Sequence, residues 1–410
     1  MSTSDGVRTA LVFPGQGAQK AGMGGAWRDT ASWPLVAEIS EHTGVDVGEL
    51  LLTADDDTLR RTDLAQLAVF GYQVIVHQEA AAAGLLGEVA ACAGHSLGEY
   101  TALYAAGALP LADAARLVAA RGRATRRCAD RSPGTMAAVV RLDAEAVDAL
   151  TGRVRAEGPD VWLANINAPG NLVVSGTAEG VDRFAALAPE GGGKVVRLAV
   201  GGAFHSPLMA DAADELRAAL ATVEFAPAHT PVVANVDARP HRGGERWRDR
   251  ELAQLTSPVR WEECVRTLAD ELGCARFVEL GPGRQLTGMI RRIAKGAATV
   301  PVESPAALTA RTTPRRPPTR ERKEPPMADA TAALDLDELR TFVAEVLDVE
   351  EEEVTDEADF VKDLGVDSLM ALEVMVELEK KYAVKLEEKE MKSITTLRKV
   401  YDLLAAKLEK

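Results

Sequence analysis

Ser96 stands between Gly94 and Gly98 in the stretch CAGHSLGEYTAL, residues 92–103. Serine hydrolases use this G-x-S-x-G spacing to hold a nucleophile on a sharp strand-to-helix turn. With 12 serines and 34 glycines in the chain, chance supplies the pattern roughly 0.1 times. The flanks agree with the chemistry. VAACAG predicts a strand of small residues entering the turn, and LGEYTALYAAGAL predicts a helix leaving it. The backbone N–H of Leu97 then lies at a helix N-terminus, where an oxyanion can be stabilised. A glycine-flanked helix cap without chemistry is the plainer alternative.

A serine hydroxyl needs a base, and the chain has six histidines. His95 adjoins Ser96, and neighbours on a sharp turn usually point apart. His42, His77, His229 and His241 lie in polar or helical stretches without other catalytic signals. His205 opens a helix after the glycines of VGGAFHSPLM and follows Ser96 in chain order, as the base does on hydrolase sheets. A surface or capping histidine is the competing account of it.

These residues need a scaffold, and 410 residues suffice for two or three domains. TALVFPGQG, VAACAGHS, WLANIN, NLVVSG, PVVANVD and ARFVELGP are short apolar runs separated by amphipathic stretches. In HSPLMADAADELRAAL, Leu208, Ala212, Leu216 and Leu220 share a helical face. Such alternation indicates an α/β domain with a largely parallel sheet. Residues 301–326 carry seven prolines and six Lys+Arg without apolar periodicity, which predicts an exposed, extended linker after a first domain of residues 1–300.

Beyond the linker the pattern is helical throughout. Leu336, Leu339, Val343 and Leu347 share one face, Leu369, Leu372 and Val376 another, and Leu397, Val400, Leu404 and Leu408 a third. Residues 327–410 therefore form a bundle of three or four short helices. This unit holds 23 acidic and 11 basic residues, a net of -12 out of -15 for the chain. Ser368 begins its second helix in GVDSLMALE, as an N-cap if nothing more.

The net negative charge and 4% aromatics argue against nucleic acid as a partner. No stretch reaches the roughly 18 apolar residues of a membrane span. Four scattered cysteines have no zinc spacing, so the expectation is a cytoplasmic protein with reduced thiols and no metal.

FPGQGAQ, GHSLGEY, LVAARGR, NINAPGNLVVSG, GAFHSPLM, SPVRW and FVELGPGRQLTG occur in that order over residues 8–295. Together they resemble malonyl-CoA:acyl-carrier-protein transacylases and polyketide synthase acyltransferase domains. The resemblance implies an α/β-hydrolase-like core with a ferredoxin-like subdomain at about 131–198. It implies Ser96 as nucleophile, His205 as general base held by a backbone carbonyl, and an oxyanion hole from the N–H groups of Gln16 and Leu97. Arg121 falls where the family binds the malonyl carboxylate, and Gln66 where a pocket glutamine sits, although Leu67 replaces a frequent proline. Phe204 matches the position whose bulk goes with malonyl and excludes α-methyl branches. A guanidinium fork suits a carboxylate on physical grounds as well.

Residues 327–410 resemble an acyl carrier protein, a four-helix domain. The resemblance implies 4′-phosphopantetheine on Ser368 and an acidic face, with Glu373, Glu377 and Glu379, for basic partners. The whole chain then reads as an acyltransferase that moves malonyl from malonyl-CoA, a coenzyme A thioester, to an acyl carrier protein, in cis or in trans, in polyketide or fatty acid biosynthesis. A phosphopantetheinyl transferase and a downstream ketosynthase follow as partners. Transfer of another acyl group, or thioester hydrolysis as proofreading on the same fold, is the alternative.

Overall fold

A computed structural model of the chain describes residues 6–309, 334–347, 349, 351–360, 364, 366, 368–382, 384–386, 390 and 394–408. The chain divides into two compact units, Met1–Arg315 and Arg316–Lys410.

The first unit is built on a six-stranded sheet of order β10-β9-β1-β2-β7-β8. Its strands are β1 (Thr9–Phe13), β2 (Val89–Gly94), β7 (Val232–Val233), β8 (Pro240–His241), β9 (Arg276–Leu280) and β10 (Ala298–Val302). All pairs are parallel except the short β7–β8 hairpin. Strand β1 is buried along its whole length, as a strand covered on both faces should be. Four helices run between β1 and β2: α1 (Leu35–Thr43), α2 (Val47–Leu52), α3 (Asp56–Arg60) and α4 (Thr62–Ala82). Helices α5 (Gly98–Ala105) and α6 (Leu111–Arg131) follow β2. The main core packs α4, α5 and α6 against one face of the sheet, around Phe13, Phe70, Tyr72, Tyr100 and Leu117.

The chain then leaves for a second sheet: β3 (Thr135–Val140), α7 (Ala144–Ala156), β4 (Val161–Ala168), β5 (Asn171–Gly176), α8 (Ala178–Leu187) and β6 (Lys194–Arg197). Its order, β4-β5-β3-β6, is antiparallel throughout, which is the ferredoxin-like βαββαβ arrangement. Val259 fastens it to the larger core, donating to the Ala164 carbonyl at 2.9 Å and accepting from the Ile166 N–H at 2.9 Å. The first unit is completed by α9 (Ala210–Leu220), α10 (Trp247–Gln254), α11 (Trp261–Arg266) and α12 (Gln285–Ile293).

The expected start of the linker at residue 301 is corrected by the structure. Residues 301 and 302 finish β10, with Val302 opposite Leu280, and a helical turn follows at Pro305–Leu308. The Tyr72 hydroxyl donates to the Glu303 carbonyl at 2.8 Å. Proline density hid this strand because Pro301 sits on an edge, where a missing N–H costs no ladder bond. Residues 310–326 lie outside the described residues.

In the second unit, α13 (Leu336–Leu347) buries Leu339, Val343, Ala344 and Leu347, and α14 (Ser368–Tyr382) buries Val374, Met375, Val376 and Leu378. A final helix, Leu397–Leu408, buries Leu397, Val400 and Leu404. Leu408, expected on the buried face, is 46% exposed in its last turn. Glu379, expected on an acidic partner face, accepts the Leu386 N–H at 2.9 Å and so serves the bundle itself. The side chains of Ser368, Leu369, Leu372 and Glu373 lie outside the described residues.

The turn after β2 leaves no room at two glycines. A Cβ on Gly98 would lie 2.0 Å from the Phe13 carbonyl oxygen, and one on Gly94 would lie 1.9 Å from the Gly98 carbonyl carbon. Gly98→Ala should therefore destabilise the first unit by about 3 kcal/mol or more, the upper end for an overpacked core. Gly201→Ala, with nothing within 4 Å, should be near neutral. Denaturant unfolding of the two variants tests the contrast.

Candidate active site

Strands β1 and β2 end in register, Phe13 beside Gly94, so the segments that follow them leave the sheet side by side. The His95 N–H donates to the Phe13 carbonyl at 2.9 Å and locks that exit. Ser96 then adopts φ 52°, in the left-handed region where a non-glycine residue is strained. The strain is held by Asn235, whose Oδ1 accepts the Ser96 N–H at 2.7 Å and whose Nδ2 donates to the Gly94 carbonyl at 2.7 Å. The result is a serine raised at the carboxyl edge of a parallel sheet, where such sheets bind ligands. Among the described residues, the N–H groups of Gln16 and Leu97 donate to no protein acceptor.

Ser96 Oγ lies 2.7 Å from His205 Nε2. His205 also has a left-handed backbone, φ 58°, and precedes rather than opens a helix, since the helical turn starts at Pro207. Its Nδ1 lies 2.9 Å from the Gln254 carbonyl oxygen. A carbonyl only accepts, so Nδ1 carries the proton and Nε2 is free to accept from Ser96. Burial, and then the charge of Arg121, push the His205 pKa down to about 3, so the ring is neutral at physiological pH.

Arg121, on α6, is only 4% exposed. Its Nη2 donates to Ser96 Oγ at 3.0 Å and to Gln254 Oε1 at 3.0 Å, and its Nη1 donates to Gln66 Oε1 at 2.7 Å. Gln66, on α4, is fixed in turn, donating from Nε2 to Thr62 Oγ1 and Thr125 Oγ1, both at 3.2 Å. Thr62 Oγ1 donates to Gln16 Oε1 at 2.5 Å. The Gln254 side chain also donates to the Ser96 carbonyl at 3.1 Å, so one residue orients serine, histidine and arginine together.

Ser96, His205, Arg121, Gln66, Thr125 and Gln16 line a cavity of about 200 Å³ between the two sheets. Met136, Val173, Leu198, Val200, Phe204 and Leu255 form its apolar walls, and Gln19 and Arg60 also border it. The Phe204 ring passes over Gly202, whose absent side chain gives it space. The volume suits a short acyl group, and the polar end offers a hydroxyl, a neutral imidazole and a guanidinium. That set can perform acyl transfer through a serine ester.

Of the residues that the sequence singles out, Gln16, Gln66, Ser96, Arg121, Phe204 and His205 all line this cavity. Leu97 is fully buried beneath it, with only its backbone relevant. Ser368 begins α14 in the other unit. His95 also lines the cavity, but its Nε2 faces Asn167 Oδ1 at 2.9 Å rather than Ser96. Gln254 and Asn235 escaped the sequence reading. A polar residue inside the apolar run PVVANVD, and a glutamine four residues before SPVRW's proline, were the available signals.

The fold and the site define a serine-centred α/β enzyme of acyl groups. The family described as acyl transferase domain matches residues 10–317, and the chain belongs to it. Residues 337–404 match the phosphopantetheine attachment site family. The malonyl CoA-acyl carrier protein transacylase of Bacillus subtilis is 37% identical over 304 residues, 73% of this chain and 95% of its own. The crystal structure of a malonyl-CoA:acyl carrier protein transacylase from Xanthomonas oryzae is similar at 40% identity and a TM-score of 0.69, covering 73% of this chain and 96% of that one. A malonyl-transacylase solved in complex with its type II polyketide synthase acyl-carrier protein has 34% identity and a TM-score of 0.69, over 73% of this chain and 97% of that one.

With its folded pKa depressed to about 3, His205 should stay neutral as pH falls from 8 to 5, whereas an exposed histidine protonates near 6.5. Histidine-labelled NMR spectra, assigned with His205→Ala, should show an Nδ1–H ring without a titration step in that window.

Proposed function

We propose that the chain transfers malonyl from malonyl-CoA, through an ester on Ser96, to the thiol of an acyl carrier protein. The observation that carries this reading is the Arg121 guanidinium, bonded to Ser96 Oγ at 3.0 Å inside the cavity. A buried cation at that point matches an acyl group that ends in a free carboxylate.

Ser96 gives its proton to His205 Nε2 as Oγ attacks the thioester carbonyl. The N–H groups of Gln16 and Leu97, free of protein acceptors, donate to the tetrahedral oxyanion. The C–S bond breaks, and the departing coenzyme A sulfur takes the proton back from Nε2. A carrier thiol then delivers its proton to the same nitrogen and attacks the Ser96 ester, and Ser96 Oγ recovers that proton as it leaves. Gln254 keeps the imidazole in the required tautomer at both stages.

The 4′-phosphopantetheine of the second unit supplies an arm that ends in an acyl-accepting thiol. Ser368 is the residue we assign to hold it, because it opens a 15-residue helix whose N-terminus favours a phosphodiester. Whether this carrier is loaded in cis or another in trans, a phosphopantetheinyl transferase prepares it and a ketosynthase consumes its malonyl thioester. Four buried free thiols favour a reducing compartment such as the cytoplasm. Among the described residues, no helix is long and apolar enough to cross a membrane.

Competition among malonyl-, methylmalonyl- and acetyl-CoA tests the assignment. Arg121→Ala should cost malonyl transfer on the order of 2–5 kcal/mol, the penalty of a buried charge left unpaired, and spare acetyl transfer. Phe204→Ser should admit methylmalonyl while keeping the need for a carboxylate. Equal losses for malonyl and acetyl in Arg121→Ala would make the arginine structural and remove the case for malonyl.

A further inference from the structure

Behind Arg121, three polar side chains meet without any exposed surface: Glu99 and Tyr100 on α5, and Glu251 on α10, each at 0%. None of them lines the cavity. Glu99 Oε2 accepts the Asn235 N–H at 2.6 Å. Glu99 Oε1, the Tyr100 hydroxyl and both Glu251 carboxyl oxygens make no hydrogen bond of normal geometry. The cation acting on Glu251 is Arg121, whose guanidinium carbon lies 5.7 Å from the centre of the Tyr100 ring.

Two neighbouring buried carboxyls cannot both ionise at low cost, so the pair retains a proton. Burial and the neighbouring Glu251 hold Glu99 well above the usual carboxyl range. Burial pushes Glu251 up to about 7, against opposing pulls from Tyr100, Arg121 and Glu99. The other titratable or charged groups facing the pair are few. Burial keeps the Tyr100 hydroxyl and, on α11, the Cys264 thiol well above their ordinary values, so both stay protonated. Arg121 on α6 is the remaining charge. Only the carboxyl pair can exchange a proton near neutral pH.

We propose that Glu99 and Glu251 form a proton-accepting counter-charge for Arg121, which takes a second proton from solvent when the carboxylate of an acyl group engages the guanidinium. The inference rests on Arg121 being the carboxylate partner. Before binding, the pair's single negative charge balances the arginine. A second anion at the guanidinium would leave the buried site with excess negative charge, and protonation of Glu251 to a carboxylic acid removes it. Glu251 is thus a positioning residue for selectivity and touches no substrate. The sign follows directly. The incoming carboxylate offsets the pull of Arg121, the Glu251 pKa rises, and binding of a dicarboxylic acyl group weakens as pH climbs above 7.

The test is titration calorimetry on the full chain with Ser96→Ala, which binds without turnover, in buffers of different ionisation enthalpy. Malonyl-CoA should take up a measurable fraction of a proton at pH 7. Acetyl-CoA carries the same phosphates and should take up less by that amount. The malonyl-CoA Kd should rise up to about tenfold from pH 6 to 8, and adding Glu251→Gln should abolish both effects. If that variant does not fold, the malonyl-to-acetyl difference in the Ser96→Ala chain still decides. Equal proton uptake for the two ligands, with malonyl binding still weakened selectively by Arg121→Ala, overturns the proton coupling alone. Equal weakening of both ligands by Arg121→Ala overturns the carboxylate reading beneath it.

Discussion

The close approach of the turn after β2 to the end of β1 is the constraint on which the site depends. Gly98 lies against the Phe13 carbonyl with no space for a side chain, and the His95 N–H ties the same carbonyl to the turn. That contact goes with the left-handed backbone of Ser96 and brings the segment after Phe13 against the turn, where Gly15 has no room for a side chain beside the His95 carbonyl. A looser turn would relax Ser96 into ordinary backbone. Strain of this kind costs on the order of 1–3 kcal/mol per residue, and here Asn235 and Gln254 supply the hydrogen bonds that hold it.

Electrostatics fills in what the backbone begins. Burial, and after it the charge of Arg121, depress the His205 pKa, and the guanidinium is hydrogen-bonded by two uncharged amides, Gln66 and Gln254. A counter-charge acts on it from the buried carboxyl of Glu251. An anion paired with the guanidinium would offset its share of the His205 depression and leave the larger share, from burial, in place.

Much of this was legible in the sequence. G-x-S-x-G marked Ser96 because its glycines are imposed by backbone contacts that no other residue survives. The alternation of strands and helices indicated the parallel sheet, the family resemblance implied the βαββαβ insert, and helical periodicity indicated the bundle. Ordered motifs supplied Arg121, Gln66 and His205, which lie far apart in the chain and meet only in the fold. Other features depend on tertiary contact and left weak traces. Gln254 orients His205 through a main-chain oxygen, which has no side-chain signature. Glu99 and Glu251 look like ordinary surface acids on short helices until both are found fully buried. Pro301 reads as a linker residue and is an edge strand.

On the proposed route, Ser96 carries the acyl group on its way to a carrier thiol. Peptide mass mapping after rapid mixing with malonyl-CoA and acid quench locates that group directly. A malonyl ester is expected on the peptide containing Ser96, followed in the phosphopantetheinylated chain by a malonyl thioester on the peptide containing Ser368. Malonyl found on another residue, retained undiminished in Ser96→Ala, or recovered only as free malonate would contradict it.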